Sequence, residues 1–233
     1  MSYTQAVEAR LRAESAEIIG RYPTGHARSA LLPMLHLVQS EDGYVSPDGI
    51  ALVADILGLS RPEVSAVATF YTQYKRHPNG DYLVGVCTNA LCAVMGGDAI
   101  WDAVSEHVGV GSDETNESGR ITLERIECNA ACDYAPVVMV NWESFDNQTP
   151  ESALALVDDL EAGRPVHPTR GAAVAPTFKE VEHTLAGFLD GHENEGPSAG
   201  EPSLLGCKLA AENGWTEPVA VAGTEGEQGG EQA

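Results

Sequence analysis

Asp81-Tyr82-Leu83-Val84-Gly85-Val86-Cys87-Thr88-Asn89-Ala90-Leu91-Cys92 is the stretch on which the reading of this chain turns. Asp81 to Val86 is a largely apolar run of strand length, and it leads straight into a cysteine followed by a second one in a C-x4-C spacing. The pattern returns downstream. Ile121 to Glu127 has strand character and ends at Cys128-Asn129-Ala130-Ala131-Cys132, a C-x3-C pair. Two strands that each end at a cysteine pair would bring four thiolates to one edge of a sheet. Between them, residues 97–109 form an amphipathic helix with Ile100, Trp101, Val104 and Val108 inward, and Gly111 to Gly119 is an acidic loop. Pro136 to Asn141 reads as a third, buried strand. Thr149-Pro150 opens a last helix with Leu154, Val157 and Leu160 on its inner face, closed by Gly163. The order β-α-β-β-α predicts a sheet with helices packed against it.

Upstream the periodicity is helical. Residues 3–20 align Val7, Leu11 and Ile18, and the next helix has a stripe at Leu31, Met34, Leu35 and Val38, with Pro33 tolerable only in the first turn. Ser46-Pro47 begins a third helix that buries Ile50, Val53, Ala54 and Leu57 and stops at Gly58. Ser60-Arg61-Pro62-Glu63 is a capping box for a fourth, with Val64, Val67, Ala68 and Tyr71 on one face. Phe70, Tyr71 and Tyr74 are read as core aromatics. The expected organisation is α+β: a helical bundle over 1–80, a sheet domain over 81–163, a linker with a possible extra helix over 164–190, and an acidic, mostly disordered tail over 191–233. Leu204, Leu205, Leu209 and Trp215 form an apolar island in that tail.

Charge follows the same boundaries. The 233 residues carry a net charge of −22, yet residues 1–80 are nearly neutral at −1, residues 81–163 hold −14 and residues 191–233 hold −7. Such an acid excess repels phosphate backbones and anionic headgroups, which argues against a nucleic-acid or membrane-surface partner. The nearly neutral bundle also lacks the basic stripe of a helix-turn-helix DNA reader. No run reaches the roughly 18 apolar residues of a membrane span, and the first residues carry no export signal. A cytoplasmic protein without direct membrane insertion is expected. An odd cysteine count in that setting argues for metal or redox chemistry over a disulfide framework.

Cys87, Cys92, Cys128 and Cys132 are the candidate ligands, and Cys207 stands alone in the tail. A [2Fe–2S] cluster takes four thiolates, two per iron. Structural zinc uses knuckles of C-x2–4-C, so spacing alone leaves zinc open. A thioredoxin-type dithiol needs C-x-x-C, which neither pair has. A Rieske centre needs histidine ligands, and no His lies within two residues of a Cys.

The local sequences carry more. Val86-Cys87-Thr88-Asn89-Ala90-Leu91-Cys92 and Glu127-Cys128-Asn129-Ala130-Ala131-Cys132 resemble the loops of the thioredoxin-like 2Fe–2S ferredoxin family, and within it the 24 kDa subunit family of NADH:quinone oxidoreductase, respiratory complex I. Ala30-Leu31-Leu32-Pro33-Met34-Leu35-His36-Leu37-Val38-Gln39, Val67-Ala68-Thr69-Phe70-Tyr71-Thr72, Gly96-Gly97, Ala135-Pro136 and Leu156 to Gly163 add to the likeness, which covers about residues 15–165. It departs in the second loop, where Asn129-Ala130 stands in place of the family's usual Leu-Gly. The resemblance implies a thioredoxin-like fold and one 2Fe–2S cluster held by Cys87, Cys92, Cys128 and Cys132. It also implies one-electron exchange with the FMN of a partner flavoprotein that binds NADH, among other components of a peripheral arm on the cytoplasmic side of the membrane. This chain has no G-x-G-x-x-G after a strand, no P-loop and no catalytic triad, so hydride chemistry is assigned to the partner. Two other readings are a diaphorase-type 2Fe–2S subunit of an NAD-dependent formate dehydrogenase or hydrogenase, and a stand-alone 2Fe–2S ferredoxin or zinc-binding interaction module. The bundle over 1–80 weighs against a stand-alone ferredoxin. Glu127, Asp133 and the −14 of the surrounding segment oppose adding an electron, so a low potential is expected.

Overall fold

Thr4 opens the first helix by accepting a hydrogen bond from the Val7 amide, and the chain then runs as α1 (Gln5–Gly20) with Leu11, Ser15 and Ile18 buried. The computed structural model describes residues 3–192 and 195–215. After a 3-10 turn (Ala27–Ala30), α2 (Leu31–Asp42) carries Pro33 in its first turn, where the missing N–H breaks no helical bond. α3 (Pro47–Leu57) is capped by the Ser46 hydroxyl, which accepts from the Gly49 amide. α4 (Arg61–Phe70) has the full reciprocal capping box of Ser60 and Glu63.

The structure revises the bundle in two places. α2 buries more than one stripe: His36, Leu37 and Gln39 are buried together with Met34, Leu35 and Val38, because helices cover it on several sides. The aromatics behind α4 also divide. Tyr74 is buried and donates to the Leu32 carbonyl at 2.9 Å, but Phe70 is 77% exposed and Tyr71 45% exposed. Phe70, the last residue of α4, lies off the face that buries Val64 and Ala68, and Tyr71 already has extended backbone, so helical spacing no longer turns it inward.

The sheet has five strands where three were expected: β1 (Tyr82–Cys87), β2 (Glu114–Thr115), β3 (Ile121–Ile126), β4 (Val138–Val140) and β5 (Glu143–Phe145). The additional ones, β2 and β5, are two and three residues long, too short for an alternation to show. The order is β2-β3-β1-β4-β5, with β1 parallel to β3 and every other pairing antiparallel. The helices after β1 are α5 (Ala90–Val94) and α6 (Gly97–Val108), and α7 (Pro150–Glu161) follows β5. Ile100, Trp101 and Val104 of α6 and Ala153, Leu156, Val157 and Leu160 of α7 pack with the strands into a core separate from that of the bundle.

Both cores belong to one compact unit, Met1–Ser198. Buried Lys75, following the bundle, donates from Nζ to Glu124 Oε2 of β3 at 2.7 Å, and its amide donates to Gln39 Oε1 of α2. The stretch after Arg164 is packed. Val166 and Ala175 enter the sheet core, and Asn141 Nδ2 donates to the carbonyls of Asp81 and Pro176. The extra helix is α8 (Phe178–Leu185), which returns to α2. There Glu182, fully buried, bonds His36 Nδ1 through Oε2 at 2.6 Å. The second unit begins at Ala199 and contains α9 (Glu201–Glu212), which buries none of its residues and leaves Leu204, Leu205 and Leu209 exposed. The expected tail thus holds one helix; residues 216–233 lie outside the described residues.

These environments separate two substitutions. Leu35→Ala, in the bundle core, should cost about 2–5 kcal/mol in denaturant unfolding. Phe70→Ala should stay within about 0.5 kcal/mol of the parent, its ring being largely in water. A large loss for Phe70→Ala would contradict the placement of that ring.

Candidate metal centre

β1 and β3 are parallel and pair from Tyr82 with Ile121 to Cys87 with Ile126. Parallel strands deliver their following loops to the same end of the sheet, which is where α/β proteins bind ligands. Cys87 is therefore the last residue of β1, and Cys128 lies two positions past its cross-strand partner. Gly85 permits this pairing to close, because a Cβ there would stand 2.5 Å from Ile126 Cγ2.

The first loop turns at Thr88-Asn89 into α5, which carries Cys92 inward while Leu91, Val94 and Met95 stay exposed. The Cys87 amide donates to the Val137 carbonyl just before β4. α6 then starts tightly against this loop. A Cβ on Gly97 would meet the Cys87 carbonyl oxygen at 2.5 Å and that of Cys92 at 2.9 Å, so only glycine lets the helix approach. In the second loop Ala130 has a left-handed backbone with φ of 57°, and Cys132 begins a 3-10 turn to Tyr134. The loop thus retains a glycine-type conformation with alanine in it.

The four cysteines expected as ligands converge. Cys128 and Cys132 have sulfurs 3.7 Å apart, and Cys87 and Cys92 lie in one buried cluster. Together with Asn129, Ala131 and Val137 they line one pocket. Cys87 and Cys92 are buried beside Ile126, Tyr134 and Met139, whereas Cys128 and Cys132 are exposed. Cys207 lies in the second unit, exposed on α9. Glu127 and Asp133 beside the second pair are solvent-exposed.

Burial, followed by the neighbouring Cys87 thiol, pushes the Cys92 thiol up to about 11. The Cys132 thiol is also raised, chiefly by its hydrogen bond with Cys128 and by that neighbour's charge, with Cys87 adding to the effect. Cys92 and Cys132 therefore resist losing their protons. Cations between them reverse that balance, because coordination displaces thiol protons. Two pairs, each from one loop, match the two thiolates that each iron of a [2Fe–2S] cluster takes. Among the described residues no three Cys, His, Asp or Glu side chains close to the spacing of a single-ion site.

Sequence reasoning found the cysteines and missed their polar surroundings. Asn89 Nδ2 donates to the Ile126 carbonyl at 2.9 Å and lies 3.6 Å from Cys87 Sγ. Asn129 Nδ2 donates to Met139 Sδ and to the Glu127 carbonyl. Asparagines in cysteine loops read as turn residues, and no spacing rule marks which atom they reach. Val137 was legible only as part of a buried strand.

The profile of the thioredoxin-like [2Fe-2S] ferredoxin family matches residues 15–161. The chain is 59% identical over 225 residues to the E-type subunit of NADH-quinone oxidoreductase from Mycobacterium tuberculosis (strain ATCC 25618 / H37Rv), covering 96% of this chain and 88% of that one. That alignment runs well past residue 165, so the C-terminal extension has a counterpart there. NADH-quinone oxidoreductase subunit 2 of Thermus thermophilus is 34% identical over 149 residues, 64% of this chain and 82% of that one. Among solved structures, an NAD+-reducing [NiFe]-hydrogenase in the air-oxidised state aligns with a TM-score of 0.52 at 19% identity, over 57% of this chain. The chain spans only 23% of that protein's length, and the likeness is one of fold.

Two backbone features of the loops are open to test. Ala130→Gly should raise unfolding stability by roughly 0.5–1 kcal/mol, since glycine carries no penalty at positive φ. Gly97→Ala should lower it by about 1–3 kcal/mol, because its Cβ collides with backbone oxygens that have nowhere to move. Denaturant midpoints at constant slope read both; a destabilised Ala130→Gly protein would contradict the loop geometry.

Proposed function

The chain belongs to the thioredoxin-like [2Fe-2S] ferredoxin family, as a homologue of the E-type subunit of NADH-quinone oxidoreductase, and on that premise we propose that it is the electron-transfer subunit of such a complex. In this reading Cys87 and Cys92 hold one iron, and Cys128 and Cys132 hold the other. The observation that carries it is the convergence of two cysteine pairs, one from each of two parallel strands, on a single pocket. When bound, a [2Fe–2S] cluster supplies one-electron transfer.

The chain's own residues then have distinct parts. Cys87 and Cys92 enter from the protein side, where Ile126, Val137 and Met139 keep water away. Cys128 and Cys132 stand at the surface, on the side from which a partner can approach within electron-transfer range. Leu91, Val94 and Met95, on and at the end of the short helix that carries Cys92, are exposed apolar residues as well. The partner in this proposal is the flavoprotein that binds NADH and FMN, and the electron passes between that flavin and this site. Net charge of −14 over residues 81–163 disfavours an additional negative charge and keeps the reduction potential low. Among the described residues no helix is long and apolar enough to cross a membrane, which suits a place in a peripheral arm; we assign that arm to the cytoplasmic side.

A diaphorase-type subunit of a formate dehydrogenase or hydrogenase is the other reading. Identity of 59% along nearly the whole chain to a quinone-reductase subunit favours the first, against a 19% likeness of fold to the hydrogenase.

The purified full-length chain should contain about two irons and two acid-labile sulfides and give an S = 1/2 EPR signal after dithionite reduction. Cys128→Ser should perturb or abolish that signal and Cys207→Ser should leave it intact. Stoichiometric zinc without sulfide, or equal effects of the two substitutions, would overturn the ligand set. Affinity capture from the native host should bring down quinone-reducing membrane subunits; recovery of the catalytic component of a dehydrogenase or hydrogenase instead would favour the second reading.

A further inference from the structure

Asn89 stands at the N-cap of α5 with extended backbone, φ −74° and ψ 165°. At that position an asparagine side chain ordinarily accepts a hydrogen bond from an amide of the first helical turn. This one makes no capping bond. Its amide nitrogen instead turns back toward the sheet, donating to the carbonyl oxygen of Ile126 at 2.9 Å and approaching Cys87 Sγ at 3.6 Å. An Asn side chain has two N–H donors on that nitrogen. The bond to Ile126, the last residue of β3, holds the amide nitrogen on the side of the sulfur. It also sets the orientation: with the amide flipped, a carbonyl oxygen would face both the Ile126 carbonyl and the sulfur.

Cys87 is 3% exposed, so water has little access to replace this donor. In a poorly solvated site an N–H bond to a charged sulfur is worth more than it would be in water. A thiolate ligand gains negative charge when the centre it holds is reduced, so a hydrogen bond to it stabilises the reduced state more than the oxidised one. The second loop has no matching donor in its asparagine, since Asn129 is directed at Met139 Sδ and the Glu127 carbonyl.

We propose that Asn89 is a positioning residue for electron transfer, whose side-chain N–H donates to the Cys87 thiolate and raises the reduction potential of the centre against its acidic surroundings. The inference rests on the ligand assignment above. Cys87 is also held apart from this bond: its amide donates to the Val137 carbonyl, and β1 is paired with β3 along its whole length.

The experiment is an EPR-monitored redox titration of the cluster-loaded full-length chain, comparing the parent with Asn89→Leu and Asn89→Asp. At a fixed ambient potential, the reduced-to-oxidised ratio should fall about threefold to tenfold in Asn89→Leu, tenfold corresponding to about 59 mV for one electron. It should fall further in Asn89→Asp, where an anionic oxygen replaces the donor. Loosening of the loop alone would admit water, which donates to the sulfurs and moves the ratio upward; a rise therefore overturns the proposal. So does an unchanged ratio in both variants, or failure of both to retain the centre, which would make Asn89 structural. Absence of the signal in the parent would instead refute the ligand assignment.

Discussion

In the parallel ladder between β1 and β3, Cys87 stands opposite Ile126, and both loops that carry cysteines leave the sheet at the same end. That pairing is what turns two cysteine pairs, 35 residues apart along the chain, into one site. A slip of one residue would turn the inward side chains of β3, Ile121 and Leu123, away from the core, so burial enforces the register. Gly85 makes room for Ile126, and Gly97 lets α6 close on the first loop. The pocket is thus a by-product of packing that the sheet core already requires, with cysteines at the positions where the two strands end.

The helical bundle is joined to this sheet by buried polar contacts. Lys75 reaches Glu124 of β3, and breaking a buried pair of this kind is costly because it strands the remaining charge. α8 returns from the sheet side to cover α2, with Glu182 meeting His36 inside. The result is one unit with two hydrophobic cores, in which the near-neutral bundle supports an acidic sheet layer.

Much of this was legible in the sequence because it is written in local chemistry. The caps at Ser46 and Ser60, the proline at the first turn of α2 and the strand running into Cys87 follow from residue types a few positions apart. The four cysteines were legible by spacing, and their family by the surrounding motifs. What escaped depends on distant partners. The second buried side of α2 is created by α8, nearly 150 residues later, and no periodicity within α2 announces it. Tyr71 was misplaced because a helical pattern was extended past the point where the helix ends, and Phe70 because it lies on the helix but off its buried face. Asn89 looks like an ordinary cap, and only the fold shows its nitrogen turned to sulfur. Ala130 is the converse case: the departure from Leu-Gly was visible, and the structure shows the glycine-like backbone persisting without the glycine.

On the function proposed for it, the pair of loops acts as a single donor set of four sulfurs around two metal ions. X-ray absorption at the iron edge of the full-length chain tests this most directly. It should show iron surrounded by sulfur alone, four per iron, with one short iron–iron vector. Nitrogen or oxygen in the first coordination sphere, or iron without an iron neighbour, would contradict it.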